Sequence, residues 1–306
     1  MLHIVIAVIR DKNKKILITQ RGIDQHQGGK WEFPGGKVEA RDSESAQQAL
    51  TRELNEELGI QVNNVMPLIQ IQHHYNTRAV FLDVYEVTTW QNEAYGKEGQ
   101  PIRWVSLDQI NNYPFPSANK PILRALMLPD RCLITPEIDN ETEFQHGIQH
   151  SLAKGIKLIQ FRAKTLTHNV YIQRAQWLIE QCNYANISLV LNSPPAQLAS
   201  TVGLHLTSSQ LLASNNRPKT TLLSAACHNK TELLKAQQLK VDFIFLSPIK
   251  ATLSHPQAQA KGWQWFEQNI KNINIPIYAL GGLGIEDIET ARQKGGQGIA
   301  AISQLW

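Results

Sequence analysis

Residues 35–60 read GGKVEARDSESAQQALTRELNEELGI, and this stretch decides the fold of the first half of the chain. Apolar residues recur every four positions in its second half, which predicts an amphipathic helix with one buried face. Asp42 or Ser43 is expected to cap the start of this helix, and Gly59 stands where a left-handed residue ends a helix. The apolar stripe consists of Ala46, Leu50, Leu54 and Leu58.

Three glutamates share one face of this predicted helix. Glu53, Glu56 and Glu57 stand at positions i, i+3 and i+4, which brings their side chains within about 6 Å of one another. Like charges at this spacing destabilise a helix, and Arg52 is the only cationic residue between positions 46 and 64. A hard divalent cation is the natural counter-ion, and oxygen ligands indicate magnesium or manganese. For an isolated E-x-x-E-E pattern, the alternative is a solvated acidic face.

The residues around these glutamates resemble the Nudix box, G-x5-E-x7-R-E-U-x-E-E-x-G-U, in which U is aliphatic. The right half of the box matches at every position, and Glu44 stands eight positions before Arg52. The left half differs, because seven residues rather than five separate Gly36 from Glu44. Either a two-residue insertion around residues 40–42 accounts for this difference, or Asp42 replaces the first glutamate of the box.

Further motifs extend the resemblance over residues 1–128. The segments Q-R-x9-W-E-F-P-G-G-K, Y-G-K-E-G-Q-P and P-S-A-N are similar to those of the MutT-type subgroup, which hydrolyses 8-oxo-dGTP and related purine nucleotides. The resemblance implies an α/β fold with a mixed sheet, Mg²⁺ (or Mn²⁺) as the cofactor and a nucleoside triphosphate as the substrate. It also implies that water attacks the β-phosphorus, which gives a nucleoside monophosphate and pyrophosphate.

The same resemblance implies roles for individual residues. Glu53 and Glu98 are both candidates for the general base, and the sequence leaves the choice open. Arg52 stands four positions before Glu56 and is expected to pair with a carboxylate and hold its orientation. The implied metal ligands are the Gly35 carbonyl and the side chains of Glu53, Glu56, Glu57 and Glu98.

Three further residues are expected to contact the nucleotide. Asn119 carries a hydrogen-bond donor and an acceptor and can pair with a purine edge, and an arginine suits phosphate. Outside this context Asn119 would be a loop or cap residue and Glu98 a turn acid, and Arg78 would pair on the surface. The implied substrate-binding residues are Arg21, Arg78 and Asn119.

The second half of the chain changes pattern, because short apolar runs alternate there with helical segments. Eight such runs predict eight parallel strands, the number that closes a (β/α)8 TIM barrel. The chain is therefore predicted to hold one α/β domain of the Nudix type at 1–129 and a barrel domain at 130–306. The runs cover residues 132–135, 157–161, 187–191, 203–206, 221–224, 243–246, 277–280 and 298–302.

Polar residues at the ends of these strands resemble those of thiamine phosphate synthase and its thiazole tautomerase (TenI) relatives. The matching segments are Q-F-R-A-K at 160–164, G-G at 281–282 and A-I-S at 301–303. The resemblance implies that Arg162 and Lys164 bind pyrophosphate and that Gly282 and Ser303 hold a phosphate through backbone N–H groups. The implied ligand is a phosphate similar to a thiamine precursor.

The barrel departs from this pattern where the family binds its metal. Ser193 and Gln210 stand at the positions of the family's metal-binding aspartates, and the loop after the sixth strand keeps only Lys250, Thr252 and His255. Three interpretations stay open for the barrel: a ligand-binding or structural domain without synthase activity, a synthase or tautomerase with altered ligands, and an unrelated activity. For the whole chain the rivals are a thiamine-pathway protein that clears pyrimidine pyrophosphates and a nucleotide sensor.

Composition excludes several classes of protein. Of the 306 residues, 42% are hydrophobic and 18% are charged, which is typical of a folded globular protein. The 30 lysines and arginines are spread without runs, so binding to duplex nucleic acid is not expected. The apolar start of the chain is too short to span a membrane, and a cytoplasmic location is expected. The cysteines, which lack a C-x-x-C motif, are expected to be reduced and structural: Cys132, Cys182 and Cys227.

Overall fold

The structure, a computed structural model, describes residues 1–25, 27–39, 43–75, 79–195, 198, 202–252, 257 and 259–306. The chain divides into two compact units, Met1–Met127 and Leu128–Trp306. Among the described residues no helix has the length and apolar character needed to cross a bilayer. Asp42, Arg78 and His255 lie outside the described residues, so the roles expected for them stay predictions.

A four-stranded mixed sheet forms the centre of the N-terminal unit. Strand β1 (Leu2–Ile9) pairs in parallel with β6 (Ala79–Gln91), the one parallel pairing described in this sheet. The outer strands, β4 (Gly35–Lys37) and β5 (Gln61–His74), are antiparallel to their neighbours, in the order β4-β1-β6-β5. The predicted mixed sheet is confirmed.

A smaller antiparallel sheet accompanies it. Strand β2 (Ile16–Gln20) lies in its middle, between β3 (Trp31–Glu32) and β7 (Ile102–Val105). Helix α2 (Lys120–Met127) follows a 3₁₀ turn at Ser117–Asn119. The W-E-F-P-G-G segment thus contributes to both sheets. Its Trp31–Glu32 part forms β3 in the smaller sheet, and its glycine pair begins β4 in the four-stranded sheet.

The alternation of side chains along β1 builds two apolar cores. Val5, Ala7 and Ile9 join the core that contains helix α1 (Ala46–Leu58), whereas Ile6 and Val8 join the core that contains α2. The buried face of α1 consists of Ala49, Leu50, Leu54 and Leu58. Helix α1 is therefore fixed against the sheet by its apolar side.

The start of α1 differs from the expectation. Ser45 is the N-cap, and its hydroxyl accepts from the Gln48 N–H while the Gln48 side chain accepts from the Ser45 N–H. This reciprocal capping box satisfies two donors at once, which explains why the N-cap lies two residues after Ser43. Gly59 ends the helix with φ of 69°, as predicted, and its N–H donates to the Asn55 carbonyl.

The C-terminal unit is a closed barrel of eight parallel strands, as predicted. The fifth strand begins two residues and ends three residues later than expected, because Ala225, Ala226 and Cys227 carry small side chains with a weak apolar signal but pair with residues 244–246. The strands are β8 (Arg131–Ile134), β9 (Leu158–Phe161), β10 (Ser188–Asn192), β11 (Gly203–Leu206), β12 (Leu223–Cys227), β13 (Phe243–Leu246), β14 (Ile277–Leu280) and β15 (Gly298–Ala301).

Six α-helices described in this unit surround the barrel. Large and small side chains alternate inside it, where Phe243, Phe245 and Tyr278 pack with Cys132 and Ala300. A second, larger apolar layer lies between strands and helices. The helices are α3 (Glu141–Ala153), α4 (His168–Tyr184), α5 (Ser208–Ala213), α6 (Lys230–Gln238), α7 (Gly262–Ile270) and α8 (Ile288–Gln293).

The three cysteines are free and buried in this unit. Burial raises the pKa of each thiol: Cys132, Cys182 and Cys227. A protonated, enclosed thiol packs as a small apolar side chain and reacts poorly, which agrees with the structural role expected for all three.

His205 makes the barrel sensitive to acid. The ring lies on β11 with 3% of its surface exposed, and its Nδ1 lies 2.8 Å from the Ser224 hydroxyl. Burial lowers the pKa of His205 to about 3. In the unfolded chain His205 binds a proton near pH 6.5, whereas in the folded barrel it stays neutral down to about pH 3. The free energy of unfolding of the barrel is therefore expected to decrease as the pH falls from about 6.5 towards 3.

We expect His205→Asn to flatten this pH dependence, which one such proton makes as steep as about 1.4 kcal/mol per pH unit. Urea unfolding read by pulsed hydrogen exchange of residues 203–246 measures the barrel separately. His146→Asn is the control, since His146 is exposed on α3. If the free energy of unfolding of the barrel depends equally on pH in wild type and His205→Asn, His205 is not the group that causes this dependence.

Candidate active site

Arg52, on the polar face of α1, donates hydrogen bonds to several carboxylates. Its Nε and Nη2 donate to the two oxygens of Glu44, at 2.9 and 3.0 Å. Its Nη1 donates to Glu53 and Glu56, at 2.9 and 3.2 Å, and Nη2 also reaches the Lys37 carbonyl at 3.0 Å. One guanidinium therefore orients three carboxylates and ties the helix to the end of β4.

The glycine pair lets β4 approach the helix closely. The Gly35 N–H donates to the Glu57 carboxylate at 3.1 Å. At Gly36 a Cβ would overlap the Glu53 carboxylate, so a side chain at this position would displace that carboxylate. The two glycines thus make room for Glu53 and Glu57 between strand and helix; the metal contact expected of the Gly35 carbonyl stays a prediction.

Burial makes these carboxylates costly to ionise. It raises the pKa of Glu57 to about 8, against the opposing effect of the Gly35 N–H, and the charges of Glu32, Glu53 and Glu98 raise it further. Burial also raises the pKa of Glu53, although Arg52 lowers it. Four acidic residues therefore act on one another here, with too little positive charge to neutralise them.

The loop that carries Glu98 is docked on the C-terminal end of α1. The Lys97 N–H donates to the Glu57 carbonyl at 2.9 Å. The Gln100 side chain donates to the same carbonyl at 2.9 Å and accepts from the Glu98 N–H at 3.0 Å. Gln100 thus joins the backbone of Glu98 to the backbone of Glu57, and it satisfies a helix-end carbonyl. Gln100 was not predicted from the sequence, although it lies in the Y-G-K-E-G-Q-P motif.

Glu32 is the second residue that sequence reasoning missed. It accepts from Arg21 Nε at 2.5 Å, and burial raises the pKa of its carboxyl against the effect of Arg21. Its place in W-E-F-P beside the glycine pair was the available signal. The predicted substrate residue Arg21 is therefore held next to the acidic cluster.

Asn119 belongs to a neighbouring part of the same unit. It is 5% exposed and lies on the 3₁₀ turn before α2. The segment that leads to it is fixed to β3 by two aromatic contacts, Trp31 with Tyr113 and Phe33 with Phe115. Trp31 thus pairs with Gln20, the neighbour of Arg21, and also contacts the segment that leads to Asn119.

The donor set suits a hard divalent cation. It consists of carboxylates, and a nearby cation would stabilise the charged form of Glu57, whose pKa is raised by burial and, to a smaller extent, by neighbouring carboxylates. Among the residues that the structure describes, no three His, Cys, Asp or Glu side chains converge as ready ligands. Glu53 and Glu56 are directed to Arg52 and Glu57 to Gly35 N–H, so metal binding requires these carboxylates to rotate towards a common point.

The barrel places its predicted residues at the ends of different strands. Arg162 follows β9 and pairs with Glu137 at 3.2 Å, and Lys164 is exposed two residues later. Gly282 has φ of 63°, and a Cβ there would overlap the Ala251 carbonyl. Ser303 is exposed after β15. The phosphate-binding roles expected of these four residues stay predictions.

Ser193 and Gln210 contact each other directly. Gln210 Nε2 donates to the Ser193 hydroxyl at 3.2 Å, and the Ser193 hydroxyl also lies 3.2 Å from Asn192 Oδ1. Gln210 further completes a capping box with Thr207 at the start of α5. These groups are neutral amides and hydroxyls engaged with one another, so they do not fit a magnesium ion, which is bound through carboxylates.

Two family models match the chain. One, described as thiamine monophosphate synthase, matches residues 131–305, and the other, described as a NUDIX domain, matches residues 5–125. The chain therefore belongs to the thiamine monophosphate synthase family through its barrel and to the Nudix hydrolases through its N-terminal unit. Enzymes of the Nudix family generally depend on a divalent metal.

Individual relatives agree with this division. The 8-oxo-dGTP diphosphatase of Escherichia coli (strain K12) is 40% identical over 125 residues, which are 41% of this chain and 95% of that enzyme. The CTP pyrophosphohydrolase of the same organism is 37% identical over 127 residues, 42% of this chain and 92% of that enzyme. A thiamine-phosphate synthase of Synechococcus sp. (strain CC9311) is 30% identical over 181 residues, which are 57% of this chain and about half (51%) of that synthase.

Glu57 should make the N-terminal unit less stable at high pH when a chelator removes divalent cations. The folded unit holds the Glu57 proton up to about pH 8, whereas an unperturbed carboxyl releases it near 4.5. The folded state thus binds more protons in this window, and the free energy of unfolding decreases as the pH rises through it. We expect Glu57→Gln to remove most of this decrease.

The measurement is urea unfolding in EDTA at pH 5 and pH 8, read by pulsed hydrogen exchange of residues 46–60. Glu93→Gln, an exposed position in the same unit, is the matched control. If wild type and Glu57→Gln lose equal stability between the two pH values, Glu57 is not the group that titrates.

Proposed function

We propose that the N-terminal unit is a Mg²⁺-dependent pyrophosphohydrolase that converts 8-oxo-dGTP, or a related purine nucleoside triphosphate, to the monophosphate and pyrophosphate. The observation that carries this proposal is the cluster of Glu53, Glu56 and Glu57 on one helix face, in which Arg52 orients Glu53 and Glu56 and burial raises the pKa of Glu57 to about 8. The likeness to a bacterial 8-oxo-dGTP diphosphatase supports the choice of nucleotide. Such an enzyme removes a damaged precursor before DNA synthesis and so serves DNA repair by sanitising the nucleotide pool.

Glu53, Glu56, Glu57 and Glu98 would hold the Mg²⁺ ions, with Mn²⁺ as a substitute. The bound metal lowers the pKa of a water molecule and neutralises charge on the phosphates. The residues of the chain supply orientation and proton transfer. Arg52 holds Glu53 and Glu56 in place, and either Glu53 or Glu98 accepts the proton of the attacking water.

Substrate selection is assigned to residues beside the acidic cluster and on the turn before α2. Arg21, held by Glu32, would bind phosphate or sugar oxygens, and Arg78 is proposed to lie near the nucleotide. Asn119 would donate to and accept from the purine edge. Its burial supports this role, because an enclosed amide discriminates against bases that leave it unpaired.

A pyrimidine substrate is the second candidate, because a CTP pyrophosphohydrolase is nearly as similar to this unit. The thiamine-pathway alternative belongs here as well. Pyrophosphate release with Mg²⁺, measured across 8-oxo-dGTP, dGTP, CTP, other nucleoside triphosphates and thiamine-related diphosphates, separates these candidates. We expect the highest kcat/KM for 8-oxo-dGTP; a higher value for CTP would favour the pyrimidine alternative, and no release from any nucleotide would favour a sensor.

The loss of one proposed ligand should nearly abolish turnover. We expect Glu57→Gln to lower kcat by at least about 100-fold, because loss of a direct ligand exceeds the 10–100-fold effect of outer-shell partners. Circular dichroism and thermal melting should show an intact fold. Glu93→Gln is the control of equal charge change, and undiminished turnover in Glu57→Gln would refute the metal site.

Gln100 should act through Glu98. We expect Gln100→Met to lower kcat about tenfold with little change in KM, because the loop would lose its side-chain contact to the Glu57 carbonyl. In a Glu98→Gln background the same substitution should have little further effect, which a double-mutant cycle measures. Lys97→Met is the control, since it removes a contact of this loop to Asn55 but none to Glu98. Equal losses in both backgrounds would contradict the role.

A further inference from the structure

The side-chain amide of Asn119 is enclosed without a partner in the described part of the chain. Asn119 is 5% exposed, and none of the residues that the structure describes forms a hydrogen bond with its side chain. Its backbone is held, because its N–H donates to the Pro116 carbonyl at 3.0 Å and the Lys120 N–H closes the 3₁₀ turn on the Ser117 carbonyl. A buried amide without a partner is unfavourable, and a ligand that pairs with it removes this cost.

His73 reaches this turn from strand β5. Its Nε2 lies 3.3 Å from the hydroxyl of Ser117, the first residue of the turn. Side chains alternate along a strand, so His73 lies on the same face of β5 as Ile69 and Ile71, which belong to the core that contains Ala118. The contact with Ser117 therefore extends the packing of β5 against the turn to the end of the strand.

The His73 ring is suited to a hydrogen bond with a hydroxyl. Burial, and to a smaller extent the charge of His74, lower the pKa of His73, so the ring is neutral near pH 7. A neutral imidazole carries one N–H donor and one acceptor, and a hydroxyl can pair with either. The Tyr75 ring packs edge-on against the imidazole, with 4.4 Å between the ring centroids. The imidazole is thus held where it contacts Ser117.

The direction of the Asn119 amide depends on the position of this turn. Ser117 and Asn119 belong to a single 3₁₀ turn, so a displacement of one moves the other. Hydrogen bonds weaken steeply when donor and acceptor are misaligned, and a site with an enclosed amide discriminates against a base that leaves it unpaired. A contact that fixes Ser117 therefore bears on the choice of base.

We propose that His73 is a positioning residue for base selection: through the Ser117 hydroxyl it holds the turn of Asn119 and so strengthens the preference of this unit for a purine over a pyrimidine base. The inference rests on the function proposed above, because it takes Asn119 as the group that contacts the base. His73 acts through Ser117 and Asn119 and takes no part in the chemistry at the phosphates.

The test is steady-state hydrolysis of 8-oxo-dGTP, dGTP and CTP by the full chain with Mg²⁺. His73→Phe keeps an aromatic ring beside Tyr75 and removes the contact to Ser117. We expect KM for the two purine nucleotides to rise about threefold to tenfold, the range of one hydrogen bond, while kcat and the KM for CTP stay within about twofold of wild type. His74→Phe is the matched control and should behave as wild type, because His74 is exposed and lies on the opposite face of β5.

Two further variants separate positioning from a general structural role. His73→Gln places an amide near the position of Nε2 and should restore KM for the purine nucleotides to within about twofold of wild type. In an Asn119→Ala background, His73→Phe should cause no further loss of purine preference, which a double-mutant cycle measures. Should thermal melting show that His73→Phe unfolds the unit, Ser117→Ala carries the test, since it removes the same contact from the other side.

A wild type that prefers 8-oxo-dGTP to CTP, together with unchanged KM values in His73→Phe, would overturn this inference and leave the proposed function in place. An equal rise in KM for the purine nucleotides and CTP would also overturn it, and so would a loss of purine preference that persists in the Asn119→Ala background. If wild type releases pyrophosphate from no purine nucleotide, the proposed function fails and this inference fails with it.

Discussion

The repulsion among carboxylates on α1 is the constraint on which the N-terminal unit depends. Glu53 and Glu57 are drawn between the helix and β4, where burial raises the pKa of both. A single guanidinium, Arg52, offsets part of this repulsion and fixes the directions of its acidic neighbours. The apolar packing of Leu50, Leu54 and Leu58 keeps the helix in place against this unfavourable arrangement. A structural helix would gain nothing from such crowding, and a cation-binding one would.

The two units treat their charged groups in opposite ways. On α1 a single cation, Arg52, contacts Glu53 and Glu56, and burial raises the pKa values of Glu32, Glu53 and Glu57. At the described mouth of the barrel, Arg162 and Lys250 each have a carboxylate partner within 3.2 Å. The first arrangement leaves acidic groups that a cation would neutralise, whereas in the second these two cationic groups are already paired.

Local patterns in the sequence predicted what depends on short-range periodicity. The apolar stripe placed α1 and Gly59, and the spacing of apolar runs predicted eight barrel strands. The errors arose where local signals compete or are weak. Ser45 rather than Ser43 caps α1, because only Ser45 is followed three residues later by a glutamine, Gln48. The predicted range of β12 was too early, because the alanines near the end of this strand have a weak strand propensity.

Contacts between distant segments lay beyond the reach of the sequence. Gln100 meets the Glu57 carbonyl across 43 positions, and Glu137 meets Lys164 across 27. Neither residue type signals such a role, because a glutamine in a turn and a glutamate after a strand are ordinary surface residues. The pairing of Arg21 with Glu32 likewise depends on two strands that only the fold brings together.

Anomalous diffraction from crystals grown with Mn²⁺ and a non-hydrolysable analogue of 8-oxo-dGTP tests the central claim most directly. The account predicts manganese peaks about 2–2.5 Å from carboxylate oxygens of Glu53, Glu56 and Glu57, next to the phosphates. Density for the nucleotide without manganese at these side chains, which would then keep their contacts to Arg52 and Gly35, would contradict it.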